Sequence, residues 1–199
     1  MKILNHTSVI GRACALGLLL LLVGCATSPS SPRGEKTPLS ASEKAAYQDA
    51  LNNIKAGEQD KASNSLKKLT QAHPDFVGGW INLATAYYHS KKMDDAGSAL
   101  ENAKKLNPNL AEVYNLSGLL AVEKGEYQAA EKNYLSAIAL KKDYAAAHYN
   151  LALVYDVFYQ DIAKAITQYE QYLALSGNTD KATISWVNEL KAKLKRKAG

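Results

Sequence analysis

The chain has 199 residues, of which 24 are Lys or Arg and 19 are Asp or Glu, giving a net charge of +5. Two of the basic residues, Lys2 and Arg12, lie in an N-terminal leader, and the remaining +3 gives no reason to expect nucleic-acid binding. The two cysteines, Cys14 and Cys25, are too few for a disulfide framework or a cysteine-based metal site.

Residues 1–24 have the pattern of a signal peptide. A basic start precedes an apolar run at residues 13–24, which is shorter than the roughly 20 residues that a membrane-spanning helix needs. The run ends in Leu22-Val23-Gly24-Cys25, which resembles the bacterial lipobox. That resemblance implies cleavage before Cys25 and acylation of its thiol; the alternative is a free cysteine buried in a helix. We therefore predict lipidation at Cys25.

Residues 25–40 are rich in Ser and Pro and contain almost nothing that a core could bury. This composition predicts a flexible linker between the acylated cysteine and a folded domain at residues 41–199. Ala26 follows the cysteine. In lipoproteins of bacteria with two membranes, which the lipobox resembles, that residue implies an outer-membrane anchor facing the periplasm.

An apolar pattern with a period of 34 residues begins after the linker, and residues 77–110 show it most clearly. The apolar stripe of a first helix is Trp80, Leu83, Ala84 and Tyr87. The stripe of a second helix is Ala96, Leu100 and Ala103. Pro108 then ends the second helix, because proline lacks an amide hydrogen. The sequence therefore predicts a helical hairpin here.

The same slots recur along the chain at intervals of 34 residues. One small-residue slot holds Ala50, Ala84, Gly118 and Ala152. We predict four hairpins, at about residues 43–76, 77–110, 111–144 and 145–178. Ser40 and Glu43 have the spacing of a capping box, which would begin the first helix.

This pattern resembles the tetratricopeptide repeat, in which Trp-x2-Leu-Gly-x2-Tyr is followed by Ala-x3-Phe and then by Pro. The resemblance covers about two thirds of the chain and is closest in residues 77–110. It implies an all-α fold, an α-solenoid of about four hairpins with a C-terminal capping helix. It also implies that the first helices line a concave groove.

Two repeats depart from the pattern. The third has Lys142 where proline is usual, which predicts a longer second helix. In the fourth, the second-helix slots fall one residue late and Phe158-Tyr159 replaces the small turn residue, which predicts a one-residue insertion in the turn. Residues 180–197 are predicted to form the capping helix, whose basic face is either solubilising or in contact with anionic headgroups.

No catalytic arrangement is evident in the sequence. His73, His89 and His148 lack the spacing of metal ligands and have no cysteine partners, and there is no glycine-rich phosphate loop. The acids along the helices are better explained as solvated surface. We predict a protein that is not an enzyme and that binds no cofactor, metal or small-molecule substrate.

The tetratricopeptide resemblance also implies which residues face a ligand. The predicted partner-binding groove comprises Tyr47, Leu51, Ile81, Thr85, Tyr88, His89, Asn115, Leu119, Tyr149, Leu153 and Asp156. Contiguous apolar side chains along a groove favour a protein partner over inter-repeat packing or self-association. Glu112 and Leu116 occupy slots where carboxylate-clamp domains place basic residues, so carboxylate clamping is not expected.

These features predict a membrane-anchored periplasmic adaptor for other envelope proteins. Lipidated proteins of this size and repeat type resemble the pilotin-like lipoproteins of type IV and Tad/Flp pilus systems, which implies a role in pilus or secretin assembly. An adaptor for peptidoglycan enzymes is the nearest alternative. A protein that self-associates, or acts on the membrane surface through the basic capping helix, is another.

Overall fold

A computed structural model describes residues 38–198, so the predicted signal peptide, Cys25 and most of the linker lie outside the described residues. The described part is all-α, as predicted. The helices are α1 Ala41–Lys55, α2 Gln59–Ala72, α3 Val77–His89, α4 Met93–Leu106, α5 Ala111–Glu123, α6 Tyr127–Leu140, α7 Ala145–Leu153, α8 Ile162–Leu175 and α9 Lys181–Ala198. A π-helical turn, Val154–Phe158, follows α7. Residues 38–198 lie within one compact unit.

The helices pair into four antiparallel hairpins, each with a first helix (α1, α3, α5, α7) and a second helix (α2, α4, α6, α8). Each second helix packs against its own first helix and against the first helix of the next hairpin. Neighbouring first helices also approach closely, whereas in residues 38–198 no two second helices bring Cα atoms within 8 Å of each other. This arrangement is a solenoid whose inner layer is made of first helices.

The first helix begins with the predicted capping box. The Ser40 side chain accepts a hydrogen bond from the Glu43 amide, and the Glu43 carboxylate accepts one from the Ser40 amide at 2.8 Å. Glu43 also lies 2.7 Å from Nε2 of the buried His73, at the end of α2. Hydrogen bonds from Ser40 and His73 lower the pKa of Glu43 to about 2. The Glu43 carboxylate therefore links the N-terminus of α1 to the C-terminus of α2.

The small-residue slot explains how closely the helices of a hairpin approach. Ala50, Ala84 and Ala152 are fully buried there. The third hairpin has Gly118 instead, and a Cβ added to it would lie 2.4 Å from a ring carbon of Tyr134. Since Tyr134 is 1% exposed, its ring fills the volume that the missing side chain leaves.

The turns inside the hairpins share one backbone geometry. A residue with positive φ follows each first helix, namely Gly57, Lys91, Gly125 and Gln160. In the first three turns, the next amide bonds to the carbonyl five residues back, as in Glu126 to Ala121. In the fourth, Asp161 bonds to Tyr155, six residues back.

The extra residue of the fourth repeat is therefore not in the turn, and that prediction was wrong. The turn keeps its geometry around Gln160, and the added residue is absorbed by the π turn, where the Tyr159 amide bonds to the Val154 carbonyl. A π-helical hydrogen bond spans five residues instead of the four of an α-helix, so it accommodates one extra residue. The chain therefore reaches the connection between α7 and α8 one residue later.

The third repeat also differs from its prediction, because α6 has 14 residues, the same length as α2 and α4. The His148 ring donates from Nε2 to the Lys142 carbonyl at 3.1 Å. In the second repeat, Trp80 Nε1 donates in the same way to the carbonyl of Pro74 at 2.9 Å. A ring N–H of the following first helix thus fixes the segment after the second helix, with or without proline.

The capping helix α9 lies antiparallel to α8 and covers its apolar side. Val187 and Leu190 are 3% and 2% exposed, and Lys191 forms an ion pair with Glu170 of α8 at 2.6 Å. Trp186 Nε1 donates to Asp156 at 2.6 Å, which joins α9 to the π turn. Among the helices at 41–198, none is long and apolar enough to cross a membrane.

Candidate partner-binding groove

The predicted groove residues lie on the four first helices and the π turn. Nine of them are half-buried, while His89 is exposed and Asn115 is 8% exposed. Leu51, Leu119 and Leu153 occupy one slot on α1, α5 and α7, and Thr85 occupies that slot on α3. An apolar side chain in this slot, partly open to solvent, is therefore a feature of three of the four hairpins.

Two asparagines connect the first helices across the groove. Asn82 Nδ2 donates to the Tyr47 hydroxyl at 2.7 Å, and Asn150 Nδ2 donates to Asn115 Oδ1 at 3.0 Å. Burial is the main cause of the raised pKa of Tyr47. The polar atoms of Tyr47 and Asn115 thus help to hold the array together. Sequence reasoning did not place Asn150 at the site, although it lies two periods of 34 residues after Asn82.

A polar cluster lies between the C-terminal ends of α3 and α5. Glu123 accepts hydrogen bonds from Lys91 Nζ at 3.0 Å and from the Tyr88 hydroxyl at 3.3 Å. The Lys91 hydrogen bond lowers the pKa of Glu123, while burial raises that of Tyr88. The His89 ring packs edge-on against Tyr88 at 5.4 Å. The cluster places the Tyr88 and His89 rings beside the Lys91–Glu123 ion pair, in which the two charges neutralise each other.

In the fourth hairpin, one predicted groove residue bonds to the capping helix and another packs on α8. Asp156 accepts from Trp186 at 2.6 Å and from the Tyr169 hydroxyl at 3.3 Å. Tyr149 packs against the Tyr169 and Tyr172 rings at 5.7 and 4.9 Å. The structure therefore places Asp156 in an internal hydrogen-bond network, and the sequence pattern gave no sign of its partner Trp186.

The accessible aliphatic members of the groove are Leu51, Ile81, Leu119 and Leu153. Ile81 and Leu119 pack on the core of the first two hairpins, whereas Leu153 packs on the core of the last two. The described residues contain no group of three His, Cys, Asp or Glu side chains arranged to hold a metal ion. The groove offers apolar contact and hydrogen bonding, chemistry that suits recognition of a polypeptide.

Family models match the described repeats. A tetratricopeptide repeat model matches residues 53–120, and a second model, described as TPR repeat, matches residues 118–156. Together they run from the end of α1 to the π turn, so the matches cover the second helix of the first hairpin, the second and third hairpins, and the first helix of the fourth.

Two curated proteins are similar to parts of the chain. Uncharacterized protein ycf37 of Pyropia yezoensis is 32% identical over 128 residues, which are 62% of this chain and 69% of that protein. Superkiller complex protein 3 of Homo sapiens is 30% identical over 122 residues, or 58% of this chain, but the match spans only 8% of the human protein.

Solved structures share the solenoid fold. The MamA protein is 29% identical, with a TM-score of 0.59 over 75% of this chain and 82% of that chain. The pilF protein of Pseudomonas aeruginosa is 21% identical, with a TM-score of 0.68 over 77% and 69%. The first tetratricopeptide domain of Spaghetti (RPAP3), bound to the HSP90 peptide SRMEEVD, is 16% identical with a TM-score of 0.54 over 60% and 93%. With its repeats matched over residues 53–156, the chain belongs to the tetratricopeptide repeat family.

Proposed function

We propose that this protein is a membrane-anchored scaffold that binds another envelope protein along its groove, in pilus or secretin assembly, and that it catalyses no reaction. The observation that carries this proposal is the shared slot of Leu51, Leu119 and Leu153, in which half-buried leucines line the inner layer of the solenoid. Arrays of this family are suited to binding other proteins, and an apolar stripe along a groove fits an extended or helical segment.

The energy available from the groove sets the size of the partner segment. Fully burying a leucine contributes about 1.5–3 kcal/mol, so completing the burial of a half-buried one contributes roughly 1 kcal/mol. A micromolar affinity needs about 8 kcal/mol. The partner must therefore contact several slots at once and hydrogen-bond to the groove, which favours a segment that spans at least three hairpins.

The charges in the groove indicate which partners fit. The carboxylates of Glu112 and Glu123 lie on α5, and Glu123 is already paired with Lys91. Leu116 is 6% exposed in a slot that clamp domains fill with a basic residue. An acidic peptide such as SRMEEVD, which is bound to RPAP3, would meet carboxylates on α5 and an apolar Leu116. An apolar, internal segment is the better fit.

Replacing Leu119 and Leu153 together by Lys is expected to reduce partner capture at least tenfold, because two charges would enter the apolar slot. Capture is measured by pull-down from membrane extracts after cross-linking, with mass spectrometry to identify the partner. The matched control replaces the exposed Leu135 and Leu194 by Lys outside the groove and should capture normally. Undiminished capture by the Leu119→Lys, Leu153→Lys variant, with its helical circular dichroism intact, would refute the groove.

Replacing Cys25 by Ser is expected to move the protein from the membrane fraction to the soluble fraction, because the acylated thiol is its proposed anchor. The native chain keeps its leader, because acylation of Cys25 depends on it, while the Cys25→Ser chain carries a leader that is cleaved without lipidation, so that an uncleaved apolar run does not retain it. Separation of inner and outer membranes then tests whether Ala26 directs the anchored protein outward. Retention of the Cys25→Ser protein on membranes would contradict the lipid anchor.

A further inference from the structure

Three exposed leucines occupy one structural position. Leu106, Leu140 and Leu175 are the last residues of α4, α6 and α8, and they are 41%, 42% and 40% exposed. The intervals are 34 and 35 residues, and the extra residue is the one that the π turn absorbs. The three side chains therefore form a row along the solenoid, the leucine edge.

The leucine edge lies on the side of the molecule where the N-terminal segment joins the folded domain. Within each hairpin the helices are antiparallel, so second helices end where first helices begin. Residue 38 and the start of α1 are consequently at this edge. Since packed helices are about 8–10 Å apart, the two intervals of the row together extend over at least about 16 Å. Residues 25–37, which include the proposed anchor Cys25, are attached at this side.

The side chains around the row are those found at membrane–water interfaces. Lys104 and Lys105 precede Leu106, and Lys141 and Lys142 follow Leu140. Lys104 Nζ lies 5.1 Å from the centre of the Tyr114 ring, and Lys141 Nζ lies 5.3 Å from that of Tyr144. Leucine enters the upper acyl region, while tyrosine and lysine remain among the headgroups.

Two acids on this side are already engaged within the protein. Glu43 bonds to Ser40 and His73, and Asp180 accepts from the Thr183 hydroxyl at 2.7 Å and the Tyr172 hydroxyl at 3.1 Å. Acids without a described partner, Asp75, Glu112 and Asp143, keep the side mixed in charge rather than strongly basic. Lysines directly beside the leucines still favour anionic headgroups at the points of contact.

The basic tail of the capping helix lies on the other side. Because α9 runs antiparallel to α8, it begins at the leucine edge and carries Lys193, Lys195, Arg196 and Lys197 away from it. Its 18 residues span about 27 Å. A chain tethered through residue 38 would therefore present its leucines, and not this tail, to the surface that holds it.

We propose that the leucine edge rests on an anionic phospholipid bilayer, with the helices standing roughly upright on the membrane. This inference rests on the membrane anchoring in the proposed function. In that orientation the groove runs parallel to the bilayer and opens sideways into the periplasm. A partner would then be held at a fixed height above the lipid.

The test uses the full chain with Leu140→Cys, labelled with the polarity-sensitive fluorophore NBD and reconstituted into vesicles of phosphatidylethanolamine and phosphatidylglycerol. The matched control is Leu135→Cys on the same helix, since Leu135 is 45% exposed but does not lie in the row. Cys14→Ser is present in both. We expect several-fold brighter, blue-shifted emission from position 140 and a water-like signal from position 135.

Equal, water-like signals at both positions would overturn the proposal. So would brightening at position 140 without vesicles, which would show that a second copy or another protein covers the row. If the protein is not retained on membranes, the anchor has failed and the edge is tested separately. The Cys25→Ser chain is then held on the same vesicles by an N-terminal histidine tag and a nickel-chelating lipid. NBD emission at positions 140 and 135 is compared as before, and equal, water-like signals would again overturn the proposal.

Discussion

Replacing Gly118 by Ala is expected to destabilise the protein by about 2 kcal/mol, although alanine is the stronger helix former. The added Cβ would lie 2.4 Å from the ring of Tyr134, which is buried and cannot move aside. Overpacking a core costs roughly 1–3 kcal/mol, and removing a helix-interior glycine returns at most about 1 kcal/mol. Urea unfolding followed by circular dichroism measures the difference.

A second substitution tests the cause of this effect. Tyr134→Leu alone should also destabilise, because it leaves a cavity beside Gly118. The double variant recreates the Ala84 and Leu100 pair of the second hairpin, where both residues are buried. The double variant should lose less free energy of unfolding than the two single variants lose in sum, by about 1 kcal/mol or more. Simple additivity would show that Gly118 is required for a reason other than the tyrosine ring.

Replacing Leu190 by Ala is expected to destabilise the docked α9 by about 3 kcal/mol, since Leu190 is 2% exposed at the contact with α8. A repeat array unfolds locally at its ends, so the loss should concentrate in the capping helix. Hydrogen exchange of the α9 amides should accelerate about 100-fold, because each 1.4 kcal/mol corresponds to a factor of ten.

Leu194 on the same helix is the matched control for this prediction. It is 38% exposed, and Leu194→Ala should change exchange only slightly. If the two variants behaved alike, α9 would be held by its hydrogen bond from Trp186 to Asp156 and its Lys191–Glu170 ion pair rather than by apolar burial.

The fold was predictable because its determinants are local and repeated. The 34-residue period of small residues, the Ser40–Glu43 capping box and the amphipathic end helix are each visible within a short stretch of sequence. What the sequence did not show depends on contacts between distant residues. The length of α6 is set with the help of His148, and the π turn absorbs an added residue that periodicity detects but cannot locate.

The site was harder to predict for the same reason. Family slots identify side chains on the first helices, yet they do not reveal which polar groups the array itself uses. Asn115 bonds to Asn150 and Asp156 bonds to Trp186, and these pairs are separated by 35 and 30 residues. The leucines of the shared slot are placed on the first helices by periodicity alone, and their role in binding stays a prediction.

The arrangement of contacts between neighbouring hairpins also determines how the domain would carry a mechanical load. Within residues 38–198, a pull between α1 and α9 passes through successive interfaces in series, because helices approach closely only within one hairpin or between adjacent hairpins. When interfaces carry a force in series, the least stable interface separates first and the other interfaces stay intact. Tension would therefore peel hairpins away singly, and extension would be stepwise instead of abrupt.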